Sequence, residues 1–292
     1  MAPWCWPCPL TRRCVTALND TLPTVARNLR PTRPAPRSAP RAAWGWAWAG
    51  ALAGVLPAVV AFAPAHWLAG GVARATQGQV QLLQPRGTVW TGSAQLVLTG
   101  GQASKDSAAL PGRLDWQLRP TWGGLRAQLQ AGCCTPQPLQ AQVHLHWAGP
   151  QITLADGQSQ WPAALLAGLG TPWNTLQPQG QLALQTRALA VQWAAGRMVL
   201  SGQAQLDARA MSSRLSTLRP MGSYRLVLQG GEVPTLALST LDGALQLSGS
   251  GQWVGNRLRF AGEASAAPER EAALSNLLNI IGRRNGARSI IT

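Results

Sequence analysis

Two cysteines stand side by side at Cys133-Cys134. In an oxidising compartment adjacent thiols can close a vicinal ring, bridge to another chain, or stay reduced. No other cysteine follows Cys14, so the pair has no further partner in this part of the chain. A redox couple needs a depressed thiol pKa, and the flanking Ala131-Gly132 and Thr135-Pro136 bring no charge that would lower it. The pair therefore reads as a structural turn. His144 and His146 lie two apart on a predicted strand, face one side and could share a metal. No carboxylate or cysteine in that strand completes a ligand set, so a structural or surface pair is the better reading. Cys5-Trp-Pro-Cys8 has the C-x-x-C spacing, but no βαβ pattern follows it and no second ligand pair lies nearby. Lys105 is the only lysine and Gln102 stands three residues before it, which excludes an S-x-x-K acyl site. H-E-x-x-H, G-x-S-x-G, Walker A and dinucleotide-glycine patterns do not occur. No catalytic, cofactor-binding or metal-ligating residue is assigned, and the chain is read as a non-enzyme.

The element that positions everything downstream is the stretch Ala42–Ala73, which contains no Asp, Glu, Lys or Arg. Its most apolar part, residues 43–63, matches a hydrocarbon core about 30 Å thick at about 1.5 Å rise per residue. Trp44, Trp46 and Trp48 crowd one end and Trp67 lies beyond the other, as interfacial anchors do. Arg12, Arg13, Arg27, Arg30, Arg33, Arg37 and Arg41 precede it against one acid, Asp20. That asymmetry predicts a cytoplasmic N-terminus and a periplasmic chain from Arg74 onward. A cleaved signal peptide fits less well, because cleavage after Ala63 would leave Pro64 at the new terminus. The length and flanking charges also disfavour a buried soluble helix. Residues 1–42 read as a disordered basic cytoplasmic tail. No methionine lies between Met1 and Met198, so a start beyond the tail would need another codon.

Past the anchor the composition is polar and β-prone, with charged residues only 12% of the chain. The net charge of +15 is almost all arginine, and after the anchor the arginines are scattered singly. No stripe for nucleic acid can be drawn, so none is expected as a partner. Pro64–Thr76 predicts a short amphipathic helix. Period-2 alternation then begins at Val80, with a turn expected at Pro85-Arg86-Gly87 and strands recurring to Ala264 between Gly-rich turns. Trp161–Leu169 predicts a helical turn that divides the region into halves, 64–160 and 175–292. Pro268–Ile281 predicts a helix with Leu274, Leu277, Leu278 and Ile281 on one stripe and Gly282 ending it. The eight tryptophans after the anchor region, from Trp90 to Trp253, are best explained as filling for thin β layers. The expected architecture is mainly β: one N-terminal transmembrane helix (43–63), then an antiparallel β-sheet periplasmic domain (64–292) with a C-terminal helix.

Three blocks in order, GTVWTGSAQL (Gly87–Leu96), RPMGSYRLVLQG (Arg219–Gly230) and FAGEASAAPEREAALSNLLNIIGRRNG (Phe260–Gly286), resemble protein N of the bacterial type II (general) secretion pathway. The resemblance implies a non-catalytic, single-pass accessory of the inner membrane that supports export of folded proteins from the periplasm. Its implied partners are other inner-membrane platform proteins, with the outer-membrane secretin as a further candidate, and membrane lipid through the anchor. No cofactor and no site residue is carried over. The same strand pattern resembles, more faintly, tethered lipid-bridge proteins of Gram-negative envelopes, which hold acyl chains in an apolar β groove.

Overall fold

The computed structural model describes residues 44–101, 104–147, 149–194, 197–255, 257–286 and 288–291. The basic tail and its cysteines lie outside them. The chain divides into two units, residues 1–49 and 50–292. Helix α1 (Trp44–Ala61) buries no residue and carries Pro57 within it. It is long and apolar enough to cross a membrane. Helix α2 (Ala65–Ala75) follows Pro64, whose fixed φ suits the residue before a helix start.

From Val80 the alternating pattern builds one antiparallel sheet. Its strands are β1 (Val80–Gly87), β2 (Thr91–Thr99), β3 (Ser107–Ala109), β4 (Leu114–Thr121), β5 (Gly124–Ala131), β6 (Leu139–His146), β7 (Gly149–Leu154) and β8 (Gly157–Pro162). A 3-10 helix (Ala163–Leu169) and α3 (Trp173–Leu176) interrupt the run. Then come β9 (Gln179–Ala194), β10 (Arg197–Ser212), β11 (Gly222–Gly231), β12 (Thr235–Gly243), β13 (Leu245–Val254), β14 (Arg257–Ala266), α4 (Glu271–Ile281), β15 (Arg283–Asn285) and β16 (Arg288–Ile291). The order is β1-β2-β4-β5-β6-β7-β9-β10-β11-β12-β13-β14-β16-β15, with β3 on β2 and β8 on β9. The expected antiparallel β architecture with its C-terminal helix is thus present.

Registers fix which hairpin ends share a rim. Gly87 faces Gly92, Thr91 faces Gln117, Thr121 faces Gly124, Gly124 faces His144 and His146 faces Gly149. The β1–β2, β4–β5 and β6–β7 tips therefore lie on one rim. The β9–β10, β11–β12 and β13–β14 tips continue it, because Gln151 faces Gln192, Leu200 faces Gly231 and Thr235 faces Gln252. The opposite rim carries the β5–β6 turn with the cysteines and the β10–β11 connection.

The core is apolar and lies in three patches along the sheet. Under α4, Leu274, Leu277 and Leu278 pack with Met221, Tyr224, Leu245 and Ala264. Leu110, Ala131, Cys134 and Leu165 form a second patch, and Ala65, Ala94 and Trp116 a third. The α4 stripe is thus the buried face its spacing predicts, with Ile281 packed at its margin.

Several local expectations are corrected. The turn expected at Pro85–Gly87 is strand. Gln84 takes φ 49° and the register shifts between Leu83 and Arg86, so a bulge absorbs Pro85 and pairing resumes. The tight turn falls instead on Thr88–Trp90, where the Thr88 N–H donates to the Thr91 carbonyl at 2.8 Å. At Trp161 the chain is still in β8, and the helical segment begins at Ala163. Gly282 does end α4, as expected, and does so in extended backbone, with φ −163°. A side chain there would meet the Ile290 carbonyl oxygen, so close approach of β16 explains the glycine.

Candidate functional site

Cys133 and Cys134 are joined to each other by a disulfide in the β5–β6 turn. Cys133 is exposed, whereas Cys134 is buried against Leu110, Ala131 and Leu165. The turn has other supports. The Thr135 hydroxyl accepts from the Ala131 N–H at 2.8 Å and donates to the Ala131 carbonyl at 3.1 Å, and the Gln160 N–H donates to the Cys134 carbonyl at 2.7 Å. Of the three fates open to adjacent thiols, the vicinal ring is the one present, built into a turn.

His144 sits on β6 with Nε2 3.3 Å from Gln142 Oε1. His146 pairs with Gly149 through the backbone, and its side chain lies outside the described atoms. Among the described residues no three His, Cys, Asp or Glu gather as a metal site.

A charged cluster on β10 and β11 had no signature in the sequence. Asp207 is buried, and Arg225 grips it in a fork, Nε to Oδ1 at 2.8 Å and Nη2 to Oδ2 at 2.9 Å. Gln205 donates to the same carboxylate at 3.1 Å, and Arg209 approaches it at 3.6 Å. The Arg225 guanidinium holds the Asp207 carboxyl below its ordinary value, against the opposing effect of burial. The only hint in sequence was that Asp207 and Arg209 stand two apart on one strand, hence on one face.

Between the sheet and α4 lies an apolar space of about 310 Å³, bounded by Leu176, Leu206, Ala208, Leu247, Leu277 and Ile281 among others. The Tyr224 side chain lies at this core. Its hydroxyl has no hydrogen-bond partner among the described residues, and burial pushes the phenol's pKa up.

The tryptophans divide. Trp116 is buried and donates to the Val89 carbonyl at 3.0 Å, as core filling requires. Trp122 and Trp147 are fully exposed, at 103% and 100%. Core filling is therefore corrected for these two: each occupies a hairpin tip beyond the last paired residue, where no opposing layer reaches.

The end of α1 is fastened to the first hairpin of the same rim. The Trp90 indole donates to the Val60 carbonyl at 2.7 Å, and the Val89 N–H donates to the Ala63 carbonyl at 2.8 Å. Pro64 and Thr88 form a β-bridge. Trp90 thus supplies one of the partners that the last carbonyls of a helix lack. This contact ties the sheet to the one helix among the described residues that is long and apolar enough to span a membrane.

These features combine into an open sheet with two rims, tied to an apolar helix. Among curated proteins and among solved structures, none matches this chain. The family model described as type II secretion system (T2SS), protein N, matches residues 78–291, from just before β1 through β16. The match covers more than half of the chain, and the chain belongs to the protein N family of the type II secretion system.

Proposed function

We propose that this accessory of type II secretion is non-catalytic and acts through protein contacts, anchored in the inner membrane by α1. Residues 1–42 lie in the cytoplasm, residues 43–63 cross the bilayer, and residues 64–292 stand in the periplasm. The contacts are with other inner-membrane platform proteins of the machine, and the secretin is a further partner. The family match over residues 78–291 carries this reading, because it coincides with the whole sheet and ends on its last strand. The orientation is supported by the seven arginines before the helix against the single Asp20. The absence of a legible catalytic motif in the sequence supports the non-catalytic part.

Deletion of the gene is expected to leave folded cargo in the periplasm while export across the inner membrane continues. A variant keeping the anchor but lacking residues 74–292 is expected not to restore secretion. Alkaline phosphatase fused after residue 120 is expected to be active. Normal secretion in the deletion strain would refute the role, and an inactive fusion would refute the orientation.

A further inference from the structure

We infer that the rim carrying the β4–β5 and β6–β7 tips rests on the bilayer that α1 crosses, with Trp122 and Trp147 inserted at the headgroup level. This inference depends on the membrane-anchored reading above.

The first ground is exposure. Among the described residues Trp122 and Trp147 expose more of their surface than any other large apolar side chain, including those of α1, where Trp46 reaches 82%. Burying a tryptophan is worth several times a methyl group, so two left fully bare at successive tips mark a surface that something covers. Tryptophan in particular prefers the boundary between water and hydrocarbon, where its ring is apolar and its N–H is wet.

The second ground is continuity with the anchor. The Leu118 N–H donates to the Trp90 carbonyl, so β4 runs directly beside the loop that holds the end of α1. Trp122 lies four residues past Leu118, about 13 Å further along the strand direction. Trp147 lies three residues past His144, which is level with Gly124 and Thr121, so its tip extends further along the strand direction than that of Trp122. Both tips thus project beyond the strand level at which the membrane helix is attached.

The third ground is charge. Arg119 and Arg126 face each other directly across β4 and β5, immediately behind Trp122, and both are exposed. Like charges directly opposite repel unless an anion lies between them or over them. Among the described residues neither forms an ion pair. On these strands the acid Asp115 sits near the other end of β4, level with Gln130. Arginine behind exposed tryptophan suits an anionic phospholipid surface, which attracts basic side chains within a Debye length.

The test uses the full chain with Cys5, Cys8 and Cys14 replaced by serine, reconstituted in vesicles of phosphatidylethanolamine and phosphatidylglycerol. A nitroxide label is placed by Trp122→Cys, by Trp147→Cys, by Gln137→Cys on the opposite rim, or by Leu52→Cys in α1. Collision with oxygen reports lipid, and collision with a neutral nickel chelate reports water. The expected result is several-fold less nickel collision at 122 and 147 than at 137, with oxygen collision raised towards that at 52. Arg119→Gln with Arg126→Gln is expected to return the label at 122 towards water. Labels at 122 and 147 as wet as that at 137 would overturn the inference. So would labels shielded from both reagents, which would mean a second protein surface rather than lipid. A wet label at 52 would instead refute the anchor itself, so the two failures are distinguishable.

Discussion

The apolar space under α4 makes neighbouring leucines of one helix differ in what they contribute. Leu278 is fully buried, and Leu278→Ala removes three carbons whose burial is worth about 0.8 kcal/mol each, plus a term for the hole left behind. A loss of about 3–5 kcal/mol is expected. Leu277 is as well buried, but it borders the space of about 310 Å³ and already lacks neighbours on that side. Leu277→Ala is expected to cost about 2–3 kcal/mol, the low end for such truncations. Ala208→Val, by contrast, adds two carbons to the lining of the same space on a strand that favours branched residues. It is expected to stabilise by about 1 kcal/mol, less than the full transfer value because repacking is imperfect. For a unit of this size each kcal/mol moves the midpoint by about 2–4 °C. Thermal unfolding of the full chain in detergent, followed by the strand dichroism signal, would rank the variants Leu278→Ala, Leu277→Ala, wild type and Ala208→Val in rising order. If Ala208→Val lowers the midpoint and Leu277→Ala costs as much as Leu278→Ala, the space is not spare volume and the reasoning fails.

The remaining outcomes concern charge and the cysteines. Because Asp207 is held below its ordinary value of 3.8, its stabilising contribution is complete above that value and disappears as the pH falls through the lower folded value. Asp207→Asn should therefore be less stable than wild type in urea at neutral pH, with the gap closing only below about pH 4; a gap independent of pH would contradict the ion pair. The double variant Cys133→Ser, Cys134→Ser is expected to fold and support secretion, because Thr135 and Gln160 hold the turn. Thr135→Val, which removes both hydroxyl bonds from a buried site, should cost about 1–3 kcal/mol in the same unfolding assay. Loss of secretion by a folded double-serine variant would instead give the disulfide a functional role.

How much could be read beforehand depended on whether the signal was local. The α1 stretch and the Leu274–Leu277–Leu278 stripe were legible because length and a 3.6-residue period are properties of contiguous residues. The long strands β9 to β14 were legible through alternation for the same reason. The β8 strand was not, since Gln158-Ser159-Gln160 shows no apolar alternation and its buried member is a serine. The bulge at Gln84 was hidden because Pro-Arg-Gly has the composition of a turn, and only pairing with β2 makes it strand. The Asp207–Arg225 fork joins residues eighteen apart whose meeting depends on the register of β10 against β11. Trp116 and Trp122 are alike in sequence and opposite in burial. What separates them is six residues along one strand, from a covered face to an uncovered tip.

An open sheet of this width has two edges, and an unprotected edge invites pairing with another chain. At one end β1 carries Pro85, which has no N–H to offer, beside the bulge at Gln84 that breaks the regular ladder. At the other end β15 is only three residues long, all exposed, and two of them are Arg283 and Arg284. Short length and charge are both devices that discourage edge pairing. The straight run of β1 that precedes its bulge is Val80–Leu83, just after α2 and at the open end of the hairpin whose turn holds α1. Strand addition by a partner protein is thus discouraged at β15, while Arg257–Ala261 of β14, beyond the described pairing with β16, is an edge marked by two arginines, Arg257 and Arg259. It is less obstructed over the four residues Val80–Leu83, at the end of β1 away from the turn that holds α1.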